Sequence, residues 1–194
     1  LKQLNNAKRA SMSFGLLPHA RRILILKNLV IEIRKNKKTI IKANSKDLKK
    51  ISQILYWIDK NISSEEDRKK ILRIFASRTT DQLVTEKKDT GCHDTTLILV
   101  TFLRTLGFPT KYVLGIDKKY PRKGGHCVAE TYIKGKWILI DPTPFQIILI
   151  PERSSFYKEN YIVKKGLDSW DCGVETVEDW DGISKKLVKK IHKN

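Results

Sequence analysis

Apolar residues recur along this chain first at helical and then at strand spacing, and the change falls at Pro109. Leu4, Ala7, Ser11 and Phe14 share one helical face, closed by Gly15 and Pro18. Ile23, Leu26, Val30 and Ile33 mark a second helix, and Ile40, Ile41, Ala43 and Leu48 a third. Ile51, Ile54, Leu55 and Ile58 line another face over residues 51–61. Ser63 or Ser64, with Glu66 or Asp67 three residues on, offers a capping box for a helix through Phe75. Thr79 and Gln82 offer another, for a short helix ending near Glu86. The run TTLILVTFLRTL at 95–106 is helical in period, and Gly107 with Pro109 supplies its stop.

Beyond Pro109 the spectrum is that of strands: 111–116, 126–133 and 136–141, with a further candidate at 146–150. Lys134-Gly135 is a two-residue hairpin signal. With that turn Ile133 pairs Lys136, which sets Asp141 opposite Val128. Strand side chains alternate, so Val128 shares a face with His126, and Asp141 and His126 become diagonal neighbours. A slip of one residue would send Asp141 to the other face. Residues 154–180 are too mixed to assign, and 181–193 form a terminal helix with Ile183, Leu187 and Ile191 on one side.

The chemistry suggested by this layout centres on Cys92, which opens the helix at 95–106 in the sequence Gly91-Cys92-His93-Asp94. A thiol in a helix's first turn faces unpaired N–H groups and the positive dipole end, both of which favour thiolate. Taken singly, Cys92 fits a buried helix cysteine, His126 a core histidine and Asp141 a turn aspartate before Pro142. Taken with the hairpin pairing, they are a nucleophile, a base and its orienter. Asp94 reads as a first-turn carboxylate complementing the dipole, and His93 as an exposed residue. Cys127 falls on the face opposite His126 as a buried thiol, Cys172 packs near Trp170 and Trp180, and Glu130 shares the face of His126.

Those motifs, a helix beginning G-x-C-x-D, with the x after glycine absent here, and ending R-x-L-G-F-P-T, then Gly125-His126 with Glu130, then Trp137 to Asp141-Pro142-Thr143, resemble the transglutaminase-like superfamily. The similarity runs from about Ile51 through Thr143. It implies an α+β, cysteine-proteinase-like core in which a nucleophile helix packs on an antiparallel sheet. It places a catalytic triad on Cys92, His126 and Asp141, and it implies thiol-dependent acyl transfer on a peptide or protein substrate, with water or an amine as acceptor left open. Family members usually read H-A-W where this chain reads His126-Cys127-Val128, which removes the expected aromatic neighbour of the imidazole. Related enzymes use an upstream tryptophan as an oxyanion donor; Trp57 is open to that role or to a core position. The N–H of Cys92 is one oxyanion donor, and the sequence does not assign a second.

Composition changes this picture mainly at the amino-terminal end. Of a formal net charge of +18, residues 1–50 carry 14 Lys and Arg against Glu32 and Asp47, a net +12, leaving +6 for residues 51–194. This divides the chain into a basic helical extension, 1–50, and a core, 51–194. AKRAS at 7–11 and IIKANSKDL at 40–48 resemble the start of gamma-glutamyl phosphate reductase, though that family's catalytic domains have no counterpart here. The basic excess fits either a solvated lysine-rich face or an electrostatic footprint for nucleic acid or an anionic membrane. A second function class is therefore a catalytically idle module of the same fold that binds nucleic acid or protein through this arm. No apolar run is long enough to span a membrane, and no signal peptide is visible. Three cysteines without metal-ligand spacing point to a reducing, cytoplasmic setting, and neither a metal nor a cofactor is implied. Oligomeric state is open.

Overall fold

The computed structural model describes residues 37–122 and 124–191, together with 21, 23 and 27. Contacts divide the chain into two units, Leu1–Lys46 and Asp47–Asn194. In the first, Arg21, Ile23 and Lys27 are helical and exposed. The helix predicted from Leu4 to Phe14 and most of the second helix lie outside the described residues. The first element followed along its length is α1, Lys37–Asn61. The division expected between residues 50 and 51 falls inside it.

Within the larger unit, Ile51, Leu55 and Ile58 of α1 are buried, as their spacing predicts. A short strand β1, Ser63–Ser64, pairs in parallel with β2, Lys88–Asp89. Between them lie α2, Arg68–Ile74, and α3, Thr80–Glu86. The cap of α2 is Asp67, whose carboxylate accepts from the Lys69 and Lys70 N–H groups; Ser63 and Ser64, expected as caps, are committed to the β1–β2 pairing instead. The box at Thr79 forms as expected, with the Gln82 side chain accepting from the Thr79 N–H at 2.9 Å.

Helix α4, Cys92–Thr105, is followed by Gly107 at φ 83°, the left-handed conformation that ends helices. Arg104 then donates from Nε and Nη2 to the Thr110 carbonyl at 3.0 and 2.8 Å, tying the helix end to the first strand of the main sheet. That sheet comprises β3 (Thr110–Asp117), β4 (Gly125–Ile133), β5 (Lys136–Asp141), β6 (Gln146–Ile148) and β7 (Asn160–Gly166). Its order is β6-β5-β4-β3-β7, with all neighbours antiparallel. The hairpin register is the one the turn dictates: Ile133 pairs Lys136 and Ala129 pairs Ile140, with Lys134 and Gly135 at φ 48° and 85° in the turn.

Alternation sorts the sheet into two faces. Tyr112, Leu114, Cys127, Ala129, Ile138 and Ile140 face the helices and meet Ile98, Leu99 and Leu103 of α4 in the main core. Val113, Val128 and Leu139 face the other way and are covered by Phe156. Phe156 belongs to α5, Ser155–Glu159, in the stretch whose sequence gave no assignment. Strand β7 comes from the same stretch. It pairs with β3 across a register shift at Leu114/Gly115, which breaks the alternation that would announce it. The terminal helix α6, Val177–Ile191, begins earlier than its sequence suggests and buries Ser184 and Val188, leaving Ile191 exposed.

Candidate active site

The three residues singled out by sequence converge. Cys92 is the first residue of α4, held there by Gly91 at φ 140°, a backbone conformation that glycine adopts without strain. His126 sits one residue into β4, and Asp141 ends β5. The His126 Nε2 lies 2.7 Å from Asp141 Oδ2, and the other carboxylate oxygen accepts from the Thr143 N–H at 3.1 Å. Thr143 can make that bond because Pro142 turns the chain back without an N–H of its own. The carboxylate is therefore fixed at both oxygens and largely buried, with 8% of its side chain exposed.

Burial works against a charged His126, but hydrogen bonds to Asp141 and to Cys92 outweigh it and raise its pKa to about 10. The Cys92 thiol is held well below its usual range, first by its contact with Cys127, against burial, and then by His126 and His93. Cys127 itself is fully buried and pushed up well above the usual thiol range by that burial. Both shifts favour the charged forms, a thiolate at Cys92 and an imidazolium at His126. The His126 share of stability is fully present below the ordinary histidine value of 6.5 and is lost as pH rises through about 10.

Several neighbours of the site were not legible in the sequence. Phe156 meets His126 edge-on, ring centroids 6.0 Å apart, and supplies the aromatic contact that Val128 does not. Its ring lies against Gly115, the β3 partner of His126, where an added Cβ would come within 2.8 Å of it. Trp180 of α6 presses on Gly125 so closely that a Cβ there would stand 2.2 Å from the indole and 2.8 Å from the Gly115 carbonyl. Gly125→Ala should therefore cost about 3 kcal/mol, read as a melting temperature lower by roughly 6–12 °C. A loss below about 1 kcal/mol would show that the indole moves aside freely.

His93, expected at the surface, is 5% exposed. Its ring packs on Phe75, centroids 4.1 Å apart, while Nε2 lies 3.2 Å from the Ala76 N–H. Asp94 is 1% exposed and does more than face a helix dipole. It accepts from the Thr90 N–H and hydroxyl, both at 2.8 Å, and pairs with buried Arg78 at 2.7 Å. Trp57 is half-buried and packs against the core, its ring tilted 53° to that of Phe102 with centroids 5.2 Å apart.

Two separate clefts open on Cys92, His126 and Asp141. One, of about 250 Å³, runs past Cys92 between Ile58, Ile62, Thr95 and Phe145, with Asp59 and Asp89 as its charged lining. The other, of about 230 Å³, opens on His126 and Asp141 beside Asp117 and Glu159. Among the described residues, no group of three or more His, Cys, Asp or Glu side chains is arranged to hold a metal ion. Nor is any described helix long and apolar enough to cross a membrane.

No curated protein matches the chain. Among solved structures, a candidate cysteine protease from Cytophaga hutchinsonii is 24% identical over 63% of this chain and 37% of its own, with a TM-score of 0.47. A structure described as a TGase is 15% identical over 80% of this chain and 41% of its own, TM-score 0.42. LapG from Legionella pneumophila is 13% identical over 70% of this chain and 75% of its own, TM-score 0.46. The chain thus spans less than half the length of the first two. The sequence model of the transglutaminase-like superfamily matches residues 34–142, more than half of the chain and inclusive of Cys92, His126 and Asp141, and the chain belongs to that superfamily.

Proposed function

We propose that the protein is a cysteine acyltransferase or peptidase acting at amide bonds through Cys92, His126 and Asp141. The observation that carries this reading is the 2.7 Å bond from His126 Nε2 to Asp141, which leaves Nδ1 as the imidazole nitrogen available to the Cys92 sulfur. The Cys92 thiolate attacks the acyl carbon, forming a C–S bond and an oxyanion that the Cys92 N–H at the start of α4 is placed to bind. His126, as imidazolium, gives its proton to the departing amine as the C–N bond breaks. Water or a second amine then attacks the thioester while His126 takes a proton, and cleavage of the C–S bond restores thiolate and imidazolium. Asp141 holds the ring in one tautomer and stabilises its charged form through both halves of the cycle.

The test is alkylation of Cys92 by iodoacetamide across pH, followed by mass spectrometry. Cys92 should label at full rate well below the ordinary thiol value of 9.0, and His126→Ala should move that profile upward. Acyl transfer should fall as pH rises through about 10, where the imidazolium loses its proton. Labelling no faster than a free model thiol at about pH 6 would remove the activated nucleophile, and the proposal with it.

A further inference from the structure

The cleft beside Cys92 has apolar walls and a carboxylate set into them. Ile58 and Ile62 of α1 and Phe145 of the β5–β6 turn supply carbon surface, and Asp89 of β2 supplies the charge. Alternation along β2 sends its two side chains to opposite sides. Lys88 goes to the surface between α2 and α3, where its Nζ donates to the Ser64 carbonyl at 3.2 Å, and Asp89 goes to the Cys92 cleft. Asp89 is 6% exposed. Its Oδ1 accepts from Ser64 Oγ at 3.4 Å, while Oδ2 has no hydrogen bond among the described residues and is not sealed from solvent. Cations of the same region are committed elsewhere, Arg78 to Asp94 and Glu86 and Lys70 to Glu65, and among the described residues none pairs with Asp89.

A carboxylate largely withdrawn from water without a cation is unfavourable. Burial, and after it the like charge of Asp94, accordingly raise the Asp89 pKa against the help of the Gly91 N–H and Ser64. The same bias extends over the site. The chain holds 39 Lys and Arg against 21 Asp and Glu, yet among the described residues no Lys or Arg lines either cleft. Asp59 shares the Cys92 side but is exposed and lies 3.1 Å from Lys60. An acidic cleft in a basic chain selects for positive charge at close range.

We infer that Asp89 is a specificity-determining residue, which takes the cationic end of a lysine or arginine side chain whose stem lies along Ile58, Ile62 and Phe145. Lysine and arginine combine an aliphatic stem with a terminal cation, which is the combination these walls and this carboxylate match. The inference rests on the proposed function, in which Cys92 attacks the acyl carbon and His126 protonates the departing amine. Cys92 and His126 open on different clefts, so the Cys92 cleft belongs to the acyl side of the scissile bond. The substrate is then a peptide with a basic residue on that side.

The experiment treats the full chain with three peptidyl chloromethyl ketones that differ only in the residue next to the reactive ketone: lysine, norleucine or glutamate. Norleucine keeps the four-carbon stem and drops the cation. In each case the Cys92 sulfur displaces chloride, and mass spectrometry follows the rate and confirms the site. The lysine reagent should react about 10- to 100-fold faster than the norleucine one, and the glutamate reagent more slowly than both. In Asp89→Asn the ratio of lysine to norleucine rates should fall to about one. A general loss of folded protein leaves that ratio unchanged, because both reagents read the same sample.

Equal rates for lysine and norleucine in the wild-type chain overturn the inference. So does a lysine preference that survives Asp89→Asn, which would place the cation elsewhere. If iodoacetamide labels Cys92 rapidly at about pH 6 and none of the three peptides does, the nucleophile stands and the specificity assignment falls. If iodoacetamide too labels it only as it would a free thiol, the proposed function fails and the inference goes with it.

Discussion

Cys92→Ala should lower acylation by a chromogenic ester by about 10⁵-fold or more, and adding His126→Ala to the same chain should lower it hardly further. Groups that act as one unit are not additive: once the thiolate is gone, the imidazolium has no leaving group to protonate. Asp141→Asn should cost less, about 10³- to 10⁴-fold, because the amide can still touch His126 but no longer fixes the tautomer that leaves Nδ1 for sulfur. The measurement is release of the chromophore together with the mass of the acylated enzyme. An Asp141→Asn chain that acylates at the wild-type rate would sink the triad, since the 2.7 Å bond would then be a packing contact.

Arg78→Met should lower stability by about 3–5 kcal/mol, or the melting temperature by roughly 10 °C. Arg78 is 5% exposed and is the cationic partner of Asp94, itself 1% exposed and two residues from Cys92. Methionine fills much of the volume but strands a carboxylate in a low-dielectric interior, where Thr90 still donates to one oxygen and His93 Nε2 stands 3.5 Å from the other. Neutralising that carboxylate with Asp94→Asn in the same chain should recover a large part of the loss. Chemical denaturation of the three variants settles the matter. A single-variant cost below about 1 kcal/mol would show that Asp94 is compensated by something other than the guanidinium.

The contact between His126 and Asp141 was legible because it rests on short-range rules. A two-residue turn at Lys134-Gly135 fixes the β4–β5 register, the period-2 alternation then places His126 and Asp141 on one face, and both hold in the structure. The boundaries of α4 follow from Gly91 and Gly107 in the same way. What was hidden depends on distant partners. His93 reads as a surface residue because a polar side chain in a first helical turn normally is one; its burial is decided by Phe75 and Ala76. Strand β7 escaped notice because its pairing shifts register and its residues do not alternate cleanly. Phe156 could have been suspected only from the missing aromatic at Val128.

The part of the chain with recognisable family sequence ends at residue 142, yet the cooperative unit does not. Phe156 packs against His126, Trp170 bonds Ala76 and Trp180 covers Gly125, all from beyond that limit. Strand β3 feels this most. Tyr112 to Ile116 are buried, one edge of the strand is paired by β4, and the other waits for β7. During synthesis β3 and β4 emerge long before Asn160–Gly166, so a nascent chain carries an apolar strand with an open hydrogen-bonding edge. Until β7 arrives, that edge is the place where two growing chains can pair with each other, and slow translation between Pro142 and Asn160 would widen the interval in which they do.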